Sequence, residues 1–232
     1  TLLFAFISVP ISTIIALLIS VGLNSIKALQ KAYQTIFFLP YLTNALAIGA
    51  VFATMFSIIS PTGTAEGAYS LGLINKILGT SINWTSISPE NIWANRFVVI
   101  IYEIWAGLPF KILILFGALQ NVNKQYYDAA KVEGANRFTT LMKITVPLIS
   151  PMLSYLIITG FIGGFKAYTA VVGIYGAEKV SNSYINTMVG YIYDQIGNDS
   201  TGLAAAGALI LFGIILVFTL INLAVSKKKV HY

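Results

Sequence analysis

Three ionisable side chains stand inside long apolar runs of this chain: Glu103, Lys111 and Lys166. A charge at bilayer depth costs at least ~2.5–3.5 kcal/mol on insertion scales, so each is expected to face a cavity or a partner group. Glu103, Gly107 and Phe110 recur at i, i+4 and i+7, which puts them on one stripe of a helix. Together they offer a carboxylate for hydroxyl groups, a bare backbone for close approach and an aromatic platform. Gly160, Gly163, Gly164 and Ala167 form a second, small-residue stripe. Gly160 and Gly164 make a G-x-x-x-G pair, which lets helices pack closely, and a pocket beside such residues has room for a solute. Plainer uses stay open: Glu103 paired with Lys166 or a partner chain, glycines as helix contacts, and Lys111 snorkelling toward the interface.

Groups for bond-making chemistry are missing from the pattern. The chain has no Cys, and its single His, His231, is the penultimate residue. There is no G-x-x-x-x-G-K-[ST] phosphate loop; the nearest glycine-rich stretch, 160–166, has the wrong spacing. There is no His-Glu-x-x-His zinc site and no Ser or Cys beside a His base. Catalysis, a metal and a cofactor are therefore not expected. If ATP drives transport here, the ATPase must be another subunit.

The elements that carry these stripes belong in lipid. Hydrophobic residues make up 57% of the 232 and charged residues 9%, with mean hydropathy +0.81. A soluble domain carries about 25% charged residues to cover its surface. Five stretches reach the roughly 20 apolar residues that cross a bilayer: 1–23, 35–59, 96–119, 146–175 and 202–225. The expected fold is all-α, a polytopic helical membrane protein forming one transmembrane domain over 1–232. Tyr41, Thr43 and Asn44 give the second run a polar start.

Charge sets the orientation. Lys27, Lys31, Lys124, Lys131, Arg137, Lys143, Lys227, Lys228 and Lys229 fall on one side of the spans, and only Lys76, Arg96 and Lys179 on the other. The positive-inside rule puts the nine in the cytoplasm. The net charge of +6 is then a topology signal and no sign of a nucleic-acid partner. Trp84 and Trp93 fall near the outer interface, where aromatic anchors gather. Thr1 would lie outside, already within an apolar run and without a Met, so the chain reads as part of a longer one with at least one preceding helix.

The segment at about 120–147 is too long for a tight turn and too regular for a linker. Asn123 suits an N-cap, Lys124–Val132 has helix-forming composition, and Gly134 can end that helix by taking positive φ. Residues 135–145 resume a helical pattern with Phe138, Leu141 and Met142 on one face, before Pro147 and Pro151. A helix, a glycine bend and a second helix on the cytoplasmic face suit docking into a partner's groove, or else lying on the lipid surface.

Here the sequence resembles the permease subunits of binding-protein-dependent ABC importers. Their signature runs approximately E-A-A-x-x-x-G and closes on a spaced pair of prolines. This chain reads Asp128-Ala129-Ala130-Lys131-Val132-Glu133-Gly134-Ala135, then Leu141, Ile144, Pro147 and Pro151. Asp128 replaces the leading Glu and Glu133 a usual Asp, both keeping the charge; Leu141 stands where Phe is common. Phe37-Phe38-Leu39-Pro40, Gly72-Leu73-Ile74-Asn75, Ile104-Trp105, Leu108-Pro109-Phe110 and Leu119-Gln120 look like the carbohydrate (maltose-type) branch. Where many carbohydrate permeases carry Gly-Gly-Pro after the fourth span, this chain has Gly173-Ile174-Tyr175-Gly176-Ala177-Glu178.

The resemblance implies a second permease subunit, cytoplasmic ATP-binding subunits and an extracellular or periplasmic solute-binding protein, in a bacterial or archaeal cell (inner) membrane. Asp128, Ala129, Ala130, Glu133, Gly134 and Ala135 would seat in the ATPase, and closure of the ATPase pair would rock the helices between inward- and outward-facing states. The solute would be a carbohydrate; glycerol phosphate or a polyamine are alternatives within the same machine. A secondary transporter or channel needs no coupling segment.

Overall fold

A computed structural model describes residues 1–26, 30–59, 70–181 and 183–229; Lys27, Glu66 and His231 lie outside the described residues. Among the described residues the regular structure is helical apart from a two-residue antiparallel pair, Ile58–Ile59 with Ser70–Leu71. The α-helices in order are α1 (Leu2–Ser25), α2 (Gln30–Phe38), α3 (Ala45–Phe56), α4 (Leu73–Leu78), α5 (Ile92–Gln120), α6 (Lys124–Val132) and α7 (Arg137–Thr140). They continue with α8 (Val146–Leu148), α9 (Ser150–Phe165), α10 (Thr169–Tyr175), α11 (Ala177–Val180), α12 (Met188–Gly197) and α13 (Thr201–Lys229).

Among the described residues three helices are long and apolar enough to cross a membrane, and counting two broken pairs as one span each gives five. Two of the expected runs are thus not single rods. The second breaks after the 3₁₀ turn Leu39–Leu42. Asn44, in extended backbone, restarts the helix by accepting the Leu46 and Ala47 amides at 2.9 and 3.3 Å, so its polarity serves a cap. The fourth run stops at Phe165, not near 175; Lys166 and Ala167 fold into a turn, and α10 follows as a separate helix.

The described chain divides into two compact units. One takes Thr1–Ser8, Thr43–Ile104 and Gly163–Gly213. In it α3 and α10 cross at two glycines: a Cβ on Gly49 would stand 2.6 Å from the Gly173 backbone. Phe52 meets Tyr102 edge-on at 5.2 Å, and the Tyr102 hydroxyl donates to the Ala45 carbonyl at 2.9 Å. A polar layer joins the loop after α4 to this unit. Asn75 and Asn95 are wholly buried. Asn75 Oδ1 accepts from Trp84 Nε1 at 2.9 Å, Asn95 Oδ1 accepts from the Tyr184 hydroxyl, and the Tyr175 hydroxyl donates to the Trp84 and Asn95 carbonyls. Trp84 is therefore a structural member of this layer, with its ring edge-on to Phe56. Trp93 does stand exposed, under the Arg96 guanidinium at 5.2 Å.

The other unit takes Val9–Leu42, Trp105–Ile162 and the chain from Ile214 onward. Its apolar core joins Ala16 and Leu23 of α1, Ile112, Leu115, Phe116 and Leu119 of α5, and Ile149 and Leu156. Ser20 donates to its own helix at Ala16 and lies 3.2 Å from the Ile112 carbonyl. Of α13, Val217, Leu220 and Ile221 stand outward in this unit and Leu209, Ile210 and Phe212 in the first.

Candidate functional site

Two sets of residues carry functional expectations, and each is built differently. The segment at about 120–147 is assembled by local backbone rules. Asn123, extended at φ −63° and ψ 126°, accepts the Gln125 amide at 3.0 Å and starts α6. At the other end the Ala135 amide donates to the Ala130 carbonyl at 2.9 Å and the Gly134 amide to the Lys131 carbonyl at 3.1 Å. With Gly134 at φ +72°, this is a Schellman cap, in which glycine avoids the steric cost of left-handed backbone.

The cap divides the segment into an inner and an outer face. Ala130 is buried, whereas Asp128, Ala129, Lys131, Glu133 and Gly134 are exposed and Ala135 is half-buried. Val132, at 90% exposure, heads an outward apolar set with Tyr126, Phe138 and Met142. Asp128 and Lys131 approach to 3.7 Å, but both are largely exposed, so the pair adds little stability. After the bend, Asn136 caps α7 by accepting the Thr139 amide at 2.7 Å.

Residues Leu141–Thr145 then wind as a π-helix, and the axis turns by 73° between 137–148 and α9. Pro151 lies in the first turn of α9, a position that does not need the missing N–H, and Pro147 follows directly on the π turn in α8. Thr145, buried, ties the π turn to α6 through the Tyr127 hydroxyl at 3.4 Å.

The residues expected to line a solute path divide between the two units. Glu103, Gly163, Gly164 and Ala167 belong to the first. Glu103 and Gly164 are half-buried, Ala167 is buried, and Gly163 is exposed with nothing within 4 Å of where a Cβ would stand. Gly107, Phe110 and Gly160 belong to the second. Phe110 is half-buried and stacks on Tyr41 at 5.8 Å, and Tyr41 stacks on Phe38 at 5.3 Å. A Cβ on Gly160 would stand 2.9 Å from Val9 Cγ1 and 3.6 Å from Lys111 Nζ; one on Gly107 would meet Ser12 at 3.6 Å and Lys111 Cε at 4.0 Å. Gly107 and Gly160 are thus brought to the same lysine.

That lysine does not snorkel. Lys111 is only 6% exposed, and Nζ donates to the Val9 carbonyl at 3.1 Å, Ser12 Oγ at 2.6 Å and Thr13 Oγ1 at 3.0 Å. The partners come from α1, about a hundred residues earlier, which is why helix periodicity alone did not disclose them. Among the described residues no cluster of His, Cys, Asp or Glu could hold a metal ion.

Comparison with known proteins adds a family and relatives. A family model described as binding-protein-dependent transport system inner membrane component matches residues 2–231. A probable ABC transporter permease protein, MG188 of Mycoplasma genitalium, is 30% identical over 90% of this chain, which spans 61% of the length of that relative. The arabinooligosaccharides transport system permease protein AraP of Halalkalibacterium halodurans is 30% identical over 96% of this chain and 68% of its own. The fold is like that of a chain in the crystal structure of a bacterial alginate ABC transporter in complex with an alginate pentasaccharide-bound periplasmic protein. That match has a TM-score of 0.73 and 20% identity, over 98% of this chain and 76% of that one.

Proposed function

The chain belongs to the binding-protein-dependent transport system inner membrane components, and from that premise we propose that it is the permease subunit of an ATP-driven ABC importer for a carbohydrate. ATP hydrolysis falls to separate cytoplasmic subunits, since this sequence holds no phosphate-binding loop of the G-x-x-x-x-G-K-[ST] kind. A second permease subunit completes the path, and an external binding protein delivers the solute.

The observation that carries the reading is the capped cytoplasmic segment. Asp128 and Ala129 stand outward on a short helix whose end is fixed by Gly134 and whose foot is tied to the π turn leading into α9. An ATPase groove that moves α6 would move the base of α9 with it. Such coupling requires contacts that differ between the two states.

Glu103, Gly107, Phe110, Gly160, Gly163, Gly164 and Ala167 line the solute path in this reading. The carbohydrate part is supported by the arabinooligosaccharide relative, by the alginate-transporter fold match and by an aromatic face at Phe110. A phosphorylated solute would need donors free to bind it, and Lys111 Nζ already lies within hydrogen-bonding distance of Val9, Ser12 and Thr13.

The test is ATP-driven uptake by the full-length permease, reconstituted in vesicles with its partner subunits and cognate binding protein. Radiolabelled neutral oligosaccharides are expected to accumulate. Accumulation of glycerol phosphate or spermidine with no oligosaccharide uptake would replace the carbohydrate assignment. No ATP-dependent uptake of any solute would remove the importer assignment.

A further inference from the structure

Asn75 makes a fixed platform of the short helix α4. It is wholly buried. Its Nδ2 donates to the Ile82 carbonyl at 2.9 Å, and its Oδ1 accepts from Thr80 Oγ1 at 3.0 Å and Trp84 Nε1 at 2.9 Å. The Trp84 ring lies 5.8 Å from that of Phe97, in the first turns of α5. All these residues belong to the first unit. Helix α4 is thereby fastened beside the head of the apolar run at 96–119.

What α4 turns outward is apolar. Leu73 and Ile77 each stand about 200° around the helix from Asn75, and they are 52% and 70% exposed. Leu78 is 57% exposed, and Trp93 and Phe97 stand exposed at i and i+4 on α5. Lys76 flanks the α4 set and is exposed. Trp84, expected as an interface anchor, is engaged with Asn75, so the outward position beside this span falls to α4.

We propose that α4 lies in the membrane interface beside the head of α5, with Leu73, Ile77 and Leu78 entering the lipid. A short apolar face with a flanking Lys, held level with the start of a span, meets the boundary of headgroups and acyl chains. A protein partner is met by an apolar centre with a hydrogen-bonding rim; α4 offers three apolar side chains and one cation. Because the bonds of Asn75 order the helix beforehand, little ordering cost remains on contact with lipid. The contact fixes the depth at which α5 begins.

The test places a nitroxide on Ile77→Cys in the full-length permease, assembled with its partner subunits in lipid vesicles, with any other cysteines of the complex replaced. Power-saturation EPR gives its collision rates with oxygen, which enters lipid, and with nickel ethylenediaminediacetate, which stays in water. Each rate is divided by that of a free nitroxide in buffer. The oxygen-to-nickel ratio is expected severalfold above unity at Ile77 and above the ratio at Ser81→Cys, an exposed site past the helix. If Ile77→Cys does not assemble, Leu73→Cys is read in the same way. A ratio near unity, or no higher than at Ser81, puts α4 in water and overturns the proposal. Low collision rates with both reagents mean that protein covers the face, and they overturn it too. Nickel collisions that vanish when the cognate binding protein is added would give the face to that protein instead of to lipid. None of these outcomes bears on the importer reading, which uptake decides.

Discussion

The amide of Ala135 donates to the carbonyl of Ala130 at 2.9 Å, closing α6 back onto its own buried alanine. This bond requires the intervening Gly134 to hold φ +72°. Everything exposed on α6 is presented at an angle fixed by that closure.

Gly134→Leu should therefore disturb presentation more than insertion. A side chain in left-handed backbone costs roughly 1–2 kcal/mol, enough to fray the cap while leaving the spans intact. The variant is expected in the membrane at normal abundance but with markedly less ATPase subunit co-purifying. Gly134→Asn should retain more, since Asn tolerates this conformation. Equal recovery for all three proteins would mean that the cap does not govern docking.

The glycine crossing in the first unit makes a contrasting pair of stability predictions. A Cβ at Gly49 would stand 2.6 Å from the Gly173 backbone, whereas one at Gly163 would meet nothing within 4 Å. Gly49→Val should destabilise by about 1–3 kcal/mol, as overpacking does. Gly163→Ala should be neutral or stabilising by up to about 1 kcal/mol through helix propensity. Thermal unfolding midpoints in detergent decide it, and the same shift for both would contradict the crossing.

Orientation is tested by chemistry on single cysteines. Lys124 and Glu178 are both exposed, and the nine-to-three division of basic residues puts them on opposite faces of the membrane. In intact cells an impermeant maleimide should label Glu178→Cys and spare Lys124→Cys until the membrane is permeabilised. Labelling of both in intact cells would refute the assigned orientation.

For the path, Glu103→Gln and Phe110→Ala should change the relative uptake of different oligosaccharides while the complex still assembles. Loss of one good hydrogen bond to a carboxylate is worth about 1.5–3 kcal/mol, so an order-of-magnitude change in apparent affinity is expected from Glu103→Gln. Parental uptake kinetics for every sugar in both variants would make the stripe a helix contact.

What could be read without coordinates was what short-range rules decide. The cap at Asn123, the helix through Val132 and the bend at Gly134 each follow from residues within a turn or two, and each is found in place. The break at Thr43 was masked by an unbroken apolar run, although Pro40 and the capping residue Asn44 were local signs of it. The acceptors of Lys111 were not legible because they lie 98 to 102 residues away. The bond of Trp84 to Asn75 was not legible because its partner is a buried asparagine on another element. Hydropathy reports the solvent an element prefers, and gives no account of which polar atoms meet inside it.

The account stands or falls on whether the outward face of α6 transmits ATPase closure. Ala129 is exposed while Ala130 is buried, so Ala129→Trp enlarges the outward face of α6 without filling the interior. The direct measurement is ATP hydrolysis and solute uptake in vesicles holding the assembled complex, with and without loaded binding protein. The account predicts that Ala129→Trp inserts normally yet loses uptake and binding-protein-stimulated hydrolysis together. Parental uptake and stimulation in that variant would contradict it.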